Sequence, residues 1–156
     1  MDDQSLLDEY ILNDVGKIWV GPMGTSKGRE WVFGQFDETV LPACMLMLDR
    51  AELPYSQSVA ILIVKYNVFE AKNNNNGYCG FSRGDPVKIT RMISKIVNSN
   101  DDQGVLVGSW DGVYEDGTAP AAWTGSTAIL EQFLETQEEV SYGQCWVFAG
   151  VVTTGK

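Results

Sequence analysis

The feature that most limits how this chain of 156 residues can fold is the run from Tyr142 to Val152, close to its end. A polar, glycine-containing step, Tyr142-Gly143-Gln144, gives way to Trp146, Val147, Phe148, Ala149, Val151 and Val152. An apolar stretch of that length must be covered by the rest of the domain, and the abrupt change marks a junction into a buried helix. Cys145 then falls at or near the first turn. N–H groups without intrahelical partners, and the positive end of the helix dipole, favour thiolate over thiol there. A thiolate so placed is a nucleophile for acyl transfer, and backbone N–H groups around it can serve a developing oxyanion.

An arbitrary free cysteine on an apolar element is more often a small core residue than a nucleophile. The Cys145-Trp146 pair shifts that balance, because the nucleophile of papain-type thiol enzymes is followed by Trp or Tyr. Cys44, within Ala43-Cys44-Met45-Leu46-Met47-Leu48, reads as core. With Cys79 these make three cysteines without metal-type spacing, and the chain has no histidine, which removes the usual zinc sites.

Charge and hydropathy narrow the partners. Eleven Lys and Arg against 21 Asp and Glu give a formal net charge of −10, so a phosphate backbone is repelled and nucleic acid is not an expected partner. At 44% hydrophobic and 21% charged residues the chain reads as globular, with length for one domain. The longest strongly apolar run, Val59 to Val64, is too short to span a bilayer, and Met1-Asp2-Asp3-Gln4 lacks the positive start of a signal peptide. The expected location is therefore cytoplasmic, or extracellular by a non-classical route.

Periodicity places the elements. Leu41 to Leu48 is a helix, with Pro42 tolerated in its first turn. After Asp85-Pro86, apolar positions 89, 92, 93, 96 and 97 keep helical spacing. Ser126 to Thr136 is another helix, with Ser126 as its N-cap and Ile129, Leu130, Phe133 and Leu134 on one face. Gly108 to Gly125, rich in Gly, Asp and Trp, is loop or short strand, and loops held by packed helices often carry catalytic groups. Val59 to Val64 reads as a strand that must be covered to avoid aggregation, followed by the polar turn Asn73-Asn74-Asn75-Asn76-Gly77.

Asn98, Asn100 and Asp102 offer oxygen at alternate positions, with Gly104 permitting a tight turn. Such a set suits a hard cation such as calcium. It is not an EF-hand, which would need Gly where Gln103 stands and Glu where Ser109 stands. On residues alone, a helix end followed by a solvated turn is the better reading.

Three ordered blocks carry a resemblance. Tyr142-Gly143-Gln144-Cys145-Trp146-Val147-Phe148-Ala149 resembles the active-site motif of the animal transglutaminases, calcium-dependent enzymes that join glutamine side chains to amines. Asn98 to Gly108 followed by Trp110-Asp111 is similar to the family's segment upstream of the cysteine. Ala121-Ala122-Trp123-Thr124-Gly125-Ser126 leading into Ile129-Leu130 resembles the helix packed beneath the site and is most like invertebrate blood-cell forms. Glu9-Tyr10-Ile11-Leu12 and Trp31-Val32-Phe33-Gly34-Gln35-Phe36 are similar to the opening of the same core. The resemblance covers nearly the whole chain. It is broken between Asp49-Arg50 and Asp85-Pro86, where about 58–82 reads as an insertion peripheral to the site.

The resemblance implies an α+β fold with a papain-like transglutaminase core, of which residues 1–156 are the N-terminal part, ending after the nucleophile helix. It makes Cys145 the nucleophile and assigns oxyanion stabilisation to the Trp110 indole and the Cys145 backbone N–H, while Trp123 is left to packing. It implies a calcium site built from the main-chain carbonyl of Lys95 with Asn98, Asn100 and Asp102. Substrates would be glutamine- and lysine-bearing proteins and polyamines. Binding of GTP is not supported, because Gly24 and Thr25 stand where a basic and aromatic pair would be needed. The family's His and Asp fall beyond Lys156, so the 156-residue chain alone is expected to be inactive. Two alternatives remain. A papain-like cysteine peptidase would lack the blocks at Asn98 to Asp102 and Trp110, and a non-catalytic transglutaminase-like structural protein would not need Cys145.

Overall fold

The computed structural model describes residues 3–51, 85–102 and 104–155. The insertion expected at about 58–82, with its strand, its Asn-rich turn and Cys79, lies outside the described residues. The fold is mixed α+β. Helix α1 (Gln4–Tyr10) begins at Asp3, whose carboxylate accepts the N–H groups of Ser5 and Leu6, and none of its residues is buried. Strands β1 (Val15–Val20) and β2 (Lys27–Val32) form an antiparallel hairpin, with Val15 opposite Val32 and Val20 opposite Lys27.

The centre of the core is helix α2 (Val40–Arg50), seven of whose residues are buried. It packs against α3 (Pro86–Ile96) and α5 (Thr127–Thr136). Helix α3 starts where the sequence places it: Asp85 caps the N–H groups of Val87 and Lys88, and Pro86 occupies the first turn. It buries Ile93 and Ile96. The short α4 (Ser99–Asp102) follows, then β3 (Leu106–Gly108), a 3₁₀ turn at Pro120–Ala122 and α5. The loop reading of Gly108 to Gly125 therefore holds apart from that one 3₁₀ turn. Strand β4 (Val140–Gly143) pairs in parallel with β3, so α5 belongs to the crossover between them.

The last element, α6 (Cys145–Thr154), starts directly after β4. Its apolar sequence is explained by its surroundings, since Val147, Gly150, Val151 and Thr154 are all buried. Trp31 lies against it so closely that a Cβ on Gly150 would collide with the indole. At the far end the Thr154 hydroxyl donates to the Phe33 carbonyl at 2.9 Å, tying α6 to the end of the hairpin.

One expectation is corrected here. Ser126 occupies the N-cap position of α5, but its side chain makes no capping bond. Its hydroxyl accepts the Trp31 indole N–H at 2.8 Å instead. A fully buried indole N–H has no water to turn to, and leaving it unpaired would cost on the order of 1–3 kcal/mol, about as much as a typical cap contributes or more. Among the described residues no helix is long and apolar enough to cross a membrane.

Candidate active site

Parallel pairing sets the geometry around Cys145. Gly108 of β3 is registered with Gly143 of β4, and two residues beyond these paired glycines stand Trp110 and Cys145. The two chains thus leave the sheet at the same end, although 35 positions separate the residues in sequence. Past the last pair they stay connected. The Ser109 N–H donates to the Gly143 carbonyl at 3.2 Å. Gln144 then donates its side-chain amide to the Ser109 carbonyl at 3.0 Å and to the Tyr114 hydroxyl at 3.0 Å.

Cys145 is the first residue of α6 and is exposed. Gln144, extended at the N-cap position with φ −132 and ψ 177, spends its amide on Ser109 and Tyr114, and no side chain caps the helix. The first turn therefore keeps its partial positive charge toward the thiol rather than toward a capping oxygen. Cys44 is buried in α2, which pushes its thiol up to about 11.

Trp110 is 63% exposed. The six-membered part of its ring lies over Gly108, where an added Cβ would meet it at 2.7 and 2.9 Å and would also touch the Phe148 ring at 3.5 Å. Phe148 is three residues past Cys145 on α6, so Gly108 faces both the indole and the first turn of that helix. Its loop is fixed from the other side as well. Asp111 accepts the Val113 N–H at 3.0 Å and the Ser109 hydroxyl at 2.8 Å. Those two bonds, the backbone one first, hold the Asp111 carboxyl below its ordinary range.

Strand β4 is held on its second flank by Thr118, which donates to Ser141 at 2.8 Å and accepts from Tyr142 at 2.9 Å. Trp123, 8% exposed, donates its indole N–H to the Tyr142 carbonyl at 2.9 Å. It is a packing residue, as expected, and also a clamp on the strand that presents Cys145. The rings of Tyr114 and Tyr142 meet at 5.7 Å. Sequence reasoning missed Gln144, Ser109 and Tyr114. Only the Ser-x-Asp spacing at Ser109 and Asp111 carried a local signal, that of a side-chain-stabilised turn.

No protein-family model matches the chain. Individual relatives do. Over 155 residues it is 46% identical to the hemocyte protein-glutamine gamma-glutamyltransferase of Tachypleus tridentatus, a match that covers 99% of this chain and 17% of that protein. Over 154 residues it is 40% identical to the human coagulation factor XIII A chain, covering 99% and 18% respectively. The solved structure of red sea bream transglutaminase matches with a TM-score of 0.74 and 38% sequence identity, over 99% of this chain and 21% of that one. The chain belongs to the transglutaminases. It spans about a fifth of the length of the relatives it matches.

In this transglutaminase segment the Asn98 region lies apart from Cys145. Asn98 forms a parallel bridge with Leu106, at the opposite end of β3 from Trp110. The Lys95 carbonyl accepts the Asn98 N–H at 3.3 Å, and the Asn98 side-chain oxygen accepts the Asn100 N–H at 3.3 Å. Gly104 returns the chain so close to the Ile96 and Asn98 carbonyls that a Cβ there would collide with both. The chemistry of this turn fits calcium, since it offers neutral amide and carbonyl oxygens to a hard cation. Among the described residues there is no group of three His, Cys, Asp or Glu side chains that could hold a metal ion.

Proposed function

We propose that this chain carries the nucleophile and oxyanion site of a calcium-dependent, protein cross-linking acyltransferase with a papain-like core. The observation that supports the reading is the Gly108 to Gly143 register, continued by the Gln144 to Ser109 bond, so that the segments bearing Trp110 and Cys145 leave the sheet at the same end.

The Cys145 sulfur attacks the side-chain carboxamide carbon of a glutamine in a protein substrate. Negative charge gathers on the carboxamide oxygen, where the Trp110 indole N–H and the Cys145 backbone N–H donate to it in the transition state. Collapse expels ammonia, which leaves with a proton, and an acyl-cysteine thioester remains. The amine of a lysine side chain or polyamine then attacks the thioester carbon, loses a proton and releases the Cys145 thiolate, forming an isopeptide bond. Water in place of the amine gives glutamate. Calcium, held by the Lys95 carbonyl with Asn98, Asn100 and Asp102, would supply fixed positive charge that orders the chain leading into β3.

Both proton transfers call for a general base and acid, commonly histidine, and this chain has none. The 156-residue chain alone is therefore expected to show no calcium-dependent incorporation of dansylcadaverine into casein. In a catalytically competent protein carrying this segment, Cys145→Ser should abolish incorporation, and turnover that survives it would overturn the reading. Labelling of casein by the isolated chain would refute the need for an added base.

A further inference from the structure

The Gln144 side chain joins the Trp110 loop to the junction between β4 and α6, and its chemistry suits a positioning role. Both hydrogens of the Gln144 amide are committed, one to the Ser109 carbonyl and one to the Tyr114 hydroxyl, each at 3.0 Å. Ser109 and Tyr114 bracket Trp110 in sequence. Ser109 is held at three points, since its N–H reaches Gly143, its hydroxyl reaches Asp111 and its carbonyl accepts from Gln144. Tyr114 in turn lies against the Tyr142 ring on β4. Gln144 immediately precedes Cys145, so the residue that orients the loop moves with the backbone that places the thiol.

We propose that Gln144 is a positioning residue that fixes the Trp110 indole relative to Cys145 and thereby sets oxyanion stabilisation without touching the substrate. This rests on the acyltransferase reading above. An exposed indole on a glycine-flanked loop has many orientations in water, and only a few aim the N–H at an oxygen developing beside Cys145. Two donated bonds from a half-buried amide remove much of that freedom before substrate arrives. The substrate carbonyl then meets a donor already oriented, and preorganisation of this kind is where such sites gain rate.

The test uses two reactions of Cys145 in the 156-residue chain, with the modified residue located by peptide mapping. Acylation by p-nitrophenyl acetate passes through an oxyanion. Alkylation by iodoacetamide does not. Gln144→Met, which keeps length and removes both donors, should slow acylation about tenfold, the worth of roughly one net hydrogen bond. Alkylation should be unchanged within about twofold, well inside that hydrogen-bond effect. Trp110→Ala should slow acylation by roughly 10²-fold, and adding Gln144→Met to it should slow it no further, because the amide acts only through the indole. Tyr114→Phe, which removes one leg of the bridge and keeps the ring, should give a smaller loss in the same direction and serves if the Met variant does not fold. Full acylation rates in Gln144→Met or Tyr114→Phe, multiplicative losses in the double variant, or equal losses in both reactions would each overturn the proposal. A Trp110→Ala chain that acylates at the normal rate would strike the oxyanion assignment itself, a separate failure.

Discussion

Trp19 on the β1–β2 hairpin and Trp110 beyond β3 are nearly equally exposed, at 67% and 63%, and each lays its six-membered ring over a glycine. On the hairpin the glycine is Gly28, directly across from Trp19 in the antiparallel register, and a Cβ there would meet the ring at an ordinary 3.4 Å. At the site the glycine is Gly108, the last residue of β3 and two positions before the tryptophan, and the corresponding distances are 2.7 and 2.9 Å. The hairpin tryptophan is an ordinary cross-strand contact. Trp110 instead stands between Ser109 and Asp111, with the Gln144 amide and the Val113 N–H fixing its two flanks. Exposure alone does not separate the two indoles. The density of polar bonds around the backbone does.

The largest effect that would break this comparison is on chemistry. Trp110→Ala should slow Cys145 acylation by roughly 10²-fold, a usual loss for one oxyanion donor. Trp19→Ala should leave the rate within about twofold, since no oxyanion donor is removed. Equal losses from both would dissolve the distinction. The paired glycines give the next effect. Gly108→Ala brings its methyl against the outer edge of the exposed Trp110 ring and should displace the indole, with slower acylation and a stability cost below about 1 kcal/mol in chemical denaturation. Gly28→Ala meets only van der Waals contact, so its cost should stay below about 1 kcal/mol, that of an interior strand substitution.

The two described cysteines sharpen the contrast between buried and exposed ends. Iodoacetamide should label Cys145 in the folded chain and Cys44 only after unfolding, as read by peptide mapping. Cys44 is pushed from 9.0 to about 11 by burial, so the folded state holds its proton where the unfolded state releases it. Stability should therefore be full below about 9 and decline as pH rises toward about 11, a slope that Cys44→Ala should remove. The smallest effect concerns Asp111. Its carboxyl is lowered from the ordinary 3.8 by the Val113 and Ser109 bonds, so the turn it closes is stable above that value. It should loosen as pH falls through the lower folded value, seen as movement of the Val113 amide resonance, and Asp111→Ala should abolish that transition.

The sheet end that carries the site was only partly legible in the sequence. Cys145 could be placed at a helix start because the change from Tyr142-Gly143-Gln144 to an apolar run is a local signal. Helices α3 and α5 were legible for the same reason, since their apolar spacing repeats within about two turns, and α2 from an apolar run with Pro42 in its first turn. Asp85 could be read as the start of α3 because capping needs only residues near in sequence. Ser126 could not be fully read. Its neighbours suit a cap, but the group that claims its hydroxyl is Trp31, 95 residues away. The same limit hid Gln144, whose partners Ser109 and Tyr114 are 35 and 30 positions distant.

What the sequence determined by itself was therefore the chemical kind of each part: a thiol at a helix start, an indole in a loop, amide oxygens at alternate positions, and family membership. What only the tertiary structure decided was which of these meet. The parallel register of β3 with β4 makes the segments carrying Trp110 and Cys145 leave the sheet at the same end and puts the Asn98 turn at the other end of the strand. Strand register depends on the packing of whole elements, here α5 on α2 across the crossover, and no local pattern encodes it.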